Sequence, residues 1–130
     1  MEHYFNLVTT AAAALGGGIG YLLGGWDQGI RCLLILIAID WVSGVTAAIY
    51  NKELCSDKGF RGILRTCAIL TAVALSAVLS DFTNESIRDM VVLFFVANTG
   101  ISIVENLGKI IELPPKLKNT LAALRGDNHG

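Results

Sequence analysis

Charge is scarce in this chain. Only 16% of its 130 residues are Asp, Glu, Lys or Arg, against about a quarter in an ordinary soluble domain. Ten basic and eleven acidic residues give a net charge of −1, so no bulk positive field draws the chain to nucleic acid. Histidine occurs twice, at positions 3 and 129. Both lie too near the ends to serve Ser43 or Ser102 in a catalytic triad. Cys32, Cys55 and Cys67 share no Cys-x-x-Cys spacing, which argues against disulfides and zinc and reads as small core residues. No metal or other cofactor is expected. The opening Met-Glu-His-Tyr lacks the positive stretch of a secretory signal. The length fits one domain, 1–130, without room for a second core.

Apolar residues fill the space that charge leaves. They make up 53% of the chain, mean hydropathy is +0.58, and the 14 glycines sit among them rather than in polar linkers. Between His3 and Trp26 there is no charged side chain, and between Cys32 and Asn51 only Asp40; 66–80 and 90–104 are charge-free. A helix needs about 20 mostly apolar residues to cross about 30 Å of hydrocarbon. The spacing predicts an all-α integral membrane protein with spans near 6–23, 31–50, 62–80 and 88–111. The first segment is rich in Ala and Gly, so three spans plus one interfacial helix is the alternative count. A soluble four-helix bundle would need a polar stripe on every helix, and 32–39 and 69–79 have none.

Four spans put Lys52, Lys58, Arg61, Arg65, Lys109, Lys116, Lys118 and Arg125 on one side and only Arg31 and Arg88 on the other. Short loops rich in Lys and Arg stay in the cytoplasm, so the 51–62 loop and the tail, 112–130, are expected there. The amino terminus has no Lys or Arg and gives no such signal. Trp26 and Tyr50 flank the second span, where amphipathic rings prefer to sit, whereas Trp41 falls in mid-span. Pro114-Pro115 ends the fourth span. Beyond it Leu117, Leu121 and Leu124 recur at helical spacing beside Lys116, Lys118 and Arg125, a short basic amphipathic helix suited to an anionic leaflet.

Small residues recur every four positions: Ala12, Gly16, Gly20 and Gly24; Gly44 and Ala48; Ala68, Ala72, Ser76 and Ser80. Such stripes mark close helix–helix contact in lipid, either inside one protomer or between protomers. Polar residues also share faces: Asp40, Ser43 and Gly44 on the second span, and Asn98, Ser102, Glu105, Asn106 and Lys109 on the fourth. Ionisable groups at membrane depth face protein or water and are presumed functional. Counting inward from Arg31 and Asp89 sets Asp40 level with Asn98, with Thr71 midway along the third span, so one hydrogen-bonded layer of the three is expected. Glu105 falls about 10 Å nearer the cytoplasm, within reach of Arg61, Arg65 or Lys109. The polar set reads either as a static clamp or as a pore lining. Asp40 and Glu105 sit at unequal depths, which disfavours paired carboxylate chemistry. Gly16-Gly17-Gly18-Ile19-Gly20 lacks the Lys-Ser/Thr and the preceding strand of a phosphate loop. No enzyme is expected.

Three ordered motifs carry a resemblance. Ile39-Asp40-Trp41-Val42-Ser43-Gly44 with Ala47-Ala48, then Ser56-Asp57-Lys58-Gly59-Phe60-Arg61-Gly62, then the run from Phe94 through Ala97-Asn98-Thr99-Gly100 to Glu105-Asn106 resemble the phage-lysis and toxin-secretion holin family. The Leu113-Pro114-Pro115-Lys116-Leu117-Lys118 end fits it too, and Thr99 departs from the Glu common in relatives. The resemblance implies a protein that accumulates in the bacterial cytoplasmic membrane and oligomerises there. It then opens lesions that release an endolysin or toxin, so its implied partners are the bilayer, further copies of itself and that cargo. A small ion channel or transporter subunit, or a non-lytic membrane adaptor, is the alternative. Cargo size separates them, since a lesion passes a folded enzyme and a channel only ions.

Overall fold

A computed structural model describes residues 1–126; residues 127–130, the end of the expected tail, lie outside the described residues. Five helices follow one another: α1 (Glu2–Leu22), α2 (Gln28–Tyr50), α3 (Ser56–Thr83), α4 (Ile87–Gly108) and α5 (Pro115–Arg125). No strand occurs among the described residues. The first four helices are long and apolar enough to cross a membrane; the 23 residues of α2 extend about 35 Å at about 1.5 Å each.

Local chemistry sets the ends. Asp27 caps α2, its Oδ1 accepting from the Ile30 amide at 3.0 Å, as an N-cap carboxylate does. Gly24 and Gly25, at φ 86° and 107°, make the α1–α2 turn in a region that L side chains avoid. Asn84 closes α3 in the left-handed conformation, and Pro115 opens α5, where its missing N–H costs nothing. α3 begins six residues ahead of the apolar window at 62, because Asp57 suits a helix N-terminus and nothing in 56–61 breaks the helix. Hydropathy finds the span, not the helix that carries it.

α4 is central, packing against α2, α3 and α5. The core is Leu23, Ile30, Leu33 and Ile37 with Ile69, Val73 and Val92. α1 stands apart, with Gly20 its one buried residue. Large apolar side chains such as Phe5, Leu15, Ile35, Val42, Leu75 and Phe94 point outward, the opposite of a soluble bundle and the pattern that lipid demands. α5 turns back along α4: Leu121 Cδ2 lies 3.0 Å from where a Cβ on Gly100 would stand.

Candidate functional site

Two polar ties join α2 to α4, one near each end of their interface. The first centres on Asp40, whose side chain is 16% exposed. Its Oδ1 accepts from Ser102 Oγ at 2.7 Å and from Asn106 Nδ2 at 3.1 Å. Asn106 Nδ2 also donates to Ser43 Oγ at 3.1 Å, and Ser43 Oγ donates to the Asp40 carbonyl at 3.0 Å. From α3, Arg65 Nη1 donates to Ser102 Oγ at 3.2 Å and stands 3.8 Å from Asp40 Oδ2. A carboxylate in an apolar bundle is tolerable only when so many donors face it. Gly44 lies beside the arrangement, and a Cβ there would stand at ordinary contact distance, 3.5 Å, from Asn106 Nδ2.

The second tie is Arg88, 8% exposed at the first turn of α4. Its guanidinium donates to Asp27 Oδ2 at 2.6 Å, to the Leu23 carbonyl at 2.5 Å and to the Gly25 carbonyl at 3.1 Å. Its backbone N–H donates to Ser80 Oγ at 2.8 Å. Arg88 therefore joins the α1–α2 turn to the α3–α4 turn. The guanidinium bonded to Asp27 lowers that carboxyl below its ordinary pKa of 3.8. Nothing in the sequence around Arg88 signals burial; the acceptors of its guanidinium hydrogen bonds lie 61 to 65 positions away.

This tie explains where the structure departs from the expected layer. Depth counted from Arg31 and Asp89 levels Asp40 with Asn98, but the bond that aligns the helices joins Asp27 to Arg88. Asp40 is thirteen residues past Asp27 and Ser102 fourteen past Arg88, so Asp40 meets Ser102 and Asn106. Asn98 is half-buried one turn away. Thr71 is exposed and donates to its own helix at the Cys67 carbonyl, 2.7 Å. Glu105 is exposed and forms no ion pair with Arg61, Arg65 or Lys109 among the described residues. Thr99 is fully buried, and its hydroxyl has no partner among the described residues.

Several of the small residues contact their own chain. The Trp26 indole covers Gly20 and donates to the Gly16 carbonyl at 3.1 Å, while Gly24 lies under the Arg88 side chain. Ala48 and Ser76 are buried and Ala72 is half-buried. The mid-span Trp41 also gains a reason: its Nε1 donates to Thr66 Oγ1 at 3.0 Å, and its ring lies over Gly62 of α3.

Between Asp40 and the 51–55 connection, α2, α3 and α4 enclose a cleft of about 290 Å³. Trp41, Arg65 and Ser102 line the end beside Asp40, and Lys58 and Lys109 the end beside the 51–55 connection, its mouth. Lys58 Nζ donates to Glu53 Oε2 at 3.0 Å and holds that exposed carboxyl below its ordinary range. Lys52, Arg61, Lys116 and Lys118 are exposed. The arrangement thus binds helices together through an ionisable pair, and no group of three or more His, Cys, Asp or Glu among the described residues is placed to hold a metal.

Comparison with known proteins follows the same lines. The profile of the bacteriophage holin family matches residues 17–126. An uncharacterized 14.9 kDa protein of Clostridium perfringens is 32% identical, over 95% of this chain and 97% of its own length. An uncharacterized protein of Listeria monocytogenes is 38% identical over 82% and 78%. A probable holin of Bacillus phage phi105 is 30% identical over 95% and 88%. No solved structure matches. With four apolar helices of spanning length and a profile match over most of its length, this multi-pass membrane protein belongs to the bacteriophage holin family, a pore-forming rather than an enzymatic class.

Proposed function

We propose that the chain acts as a holin: it accumulates in the bacterial cytoplasmic membrane, oligomerises, and opens lesions through which an endolysin or toxin leaves. It works as a single membrane domain with 112–130 as its cytoplasmic tail, α5 of which folds back on α4, since seven of its ten Lys and Arg residues then belong to the loop and tail on that side while Arg65 turns inward to Asp40. The observation that carries the reading is Asp40, a carboxylate at membrane depth held by Ser102 and Asn106 and faced by Arg65. In the resting protomer this cluster clamps α2, α3 and α4. When helices part in a lesion, the same polar groups line the opening and meet water. Thr71 and Glu105, exposed on the single protomer, and Asn98 then add polar surface to the opening. The small-residue faces not already covered by their own chain supply contact between copies.

Lysis timing tests the role of the charge. Asp40→Asn keeps the shape and removes the charge, Asp40→Leu removes both, and Asp81→Asn, at an exposed residue, is the control. Asp40→Asn is expected to delay or abolish release with normal insertion, and Asp40→Leu to disrupt assembly; Asp81→Asn is expected to match wild type. Equal timing for wild type, Asp40→Asn and Asp40→Leu overturns the assignment. Ion leakage without release of a folded hydrolase would instead identify a channel.

A further inference from the structure

The cleft beside the 51–55 connection has a chemistry the clamp does not use. Its deep end is already occupied by internal bonds: Asp40 is taken by Ser102 and Asn106. Its mouth is different. Lys58 and Lys109 face a single carboxylate there, Glu53, which also lines the cleft, pairs with Lys58 at 3.0 Å and feels the charge of Lys109, so two cations meet one anion and one positive charge is left over at the rim. Between mouth and floor the walls are apolar, with Val45, Ala48, Leu54 and Ile69 beside the Trp41 ring. From Asn51 at the rim to Asp40 is eleven residues of α2, about 16 Å along the axis. That is about half of a 30 Å hydrocarbon layer, the depth of one leaflet.

We propose that this cleft seats an anionic phospholipid from the adjoining leaflet, its phosphate between Lys58 and Lys109 and the upper part of one acyl chain against Trp41 and Ile69. Cationic rims between membrane helices suit such headgroups, and an apolar wall continuing from the rim for one leaflet's depth suits the chain beneath. The volume, about 290 Å³, lies at the lower edge of ligand pockets, so the cleft takes the headgroup region and leaves the chain ends in the bilayer. A lipid there bridges α2, α3 and α4 at the end of the bundle opposite Arg88. The inference rests on insertion in a bilayer and not on lysis.

Trp41 is the reporter. The full chain carrying Trp26→Phe keeps an aromatic ring over Gly20 and leaves Trp41 as its one indole. It is reconstituted in phosphatidylcholine vesicles containing a small fraction of bromine-labelled phosphatidylglycerol, or the same fraction of bromine-labelled phosphatidylcholine. Quenching by the anionic lipid should be several-fold stronger. Lys58→Gln with Lys109→Gln should bring it down to the phosphatidylcholine level, and Lys116→Gln with Lys118→Gln should leave it unchanged. Equal quenching by the two lipids overturns the proposal, as does a preference that survives loss of Lys58 and Lys109. A preference lost equally with the tail lysines also overturns it, since that identifies diffuse surface attraction. Circular dichroism and alkaline extraction confirm helix content and insertion for each variant, and Lys109→Gln alone replaces a double variant that fails them. None of these readouts depends on lysis, so failure here leaves the holin reading standing.

Discussion

Arg88 reaches three residues with one planar group, two of them through carbonyls of the α1–α2 turn. Lysine offers the charge without the fork. Arg88→Lys should lower stability by about 1–3 kcal/mol, the cost of leaving buried carbonyls unsatisfied, read as thermal unfolding in detergent micelles. The partner, Asp27, has a depressed pKa, so its ionised form is favoured by folding. That contribution is complete above the ordinary value of 3.8 and fades as pH falls through the lowered one. Unfolding measured from pH 8 to pH 3 should therefore be insensitive to this group until the acid end, and Asp27→Asn should remove the acid-end loss it causes. At the other tie, Asp40→Leu leaves Ser102 and Asn106 without their acceptor and should cost about 1–3 kcal/mol, whereas Asp40→Asn keeps an acceptor oxygen and should cost less.

Helices show what a sequence can and cannot tell. Four apolar stretches were legible because charge scarcity and helical periodicity are local properties. The polar face of α4 was legible for the same reason, with Ser102 and Asn106 four residues apart. Which turn of α2 they meet was not, because the register depends on Arg88 reaching Asp27 across 61 positions. Trp41 looked misplaced while its partner Thr66, 25 residues on, was unknown. Contact between α2 and α3 yields a prediction of its own. Gly62 has the Trp41 ring 3.4 Å from where its Cβ would stand, so Gly62→Ala fits with a small shift, whereas Gly62→Leu must expel the indole. A red-shifted Trp41 emission in the Trp26→Phe background should distinguish the two variants.

Orientation and association are properties of the whole molecule. A carboxyl-terminal reporter should be active in the cytoplasm; activity only outside would reverse the assignment. Gly44→Leu should weaken cross-linked oligomer ladders only through its own protomer, since Asn106 already fills that space, and so should lower stability in parallel. The two ties have a mechanical meaning as well. About 20 Å apart at about 1.5 Å per residue, they forbid α2 and α4 from sliding past each other, and the pair behaves as one strut of fixed length. Facing a thinner bilayer, a strut leans as a unit or thins the lipid around it. α1 has Gly20 as its one buried residue and is held at its last turns by the Trp26 indole on Gly16 and Gly20, so the rest of it takes a different tilt from the strut. Membrane thickness then becomes an angle between α1 and the strut.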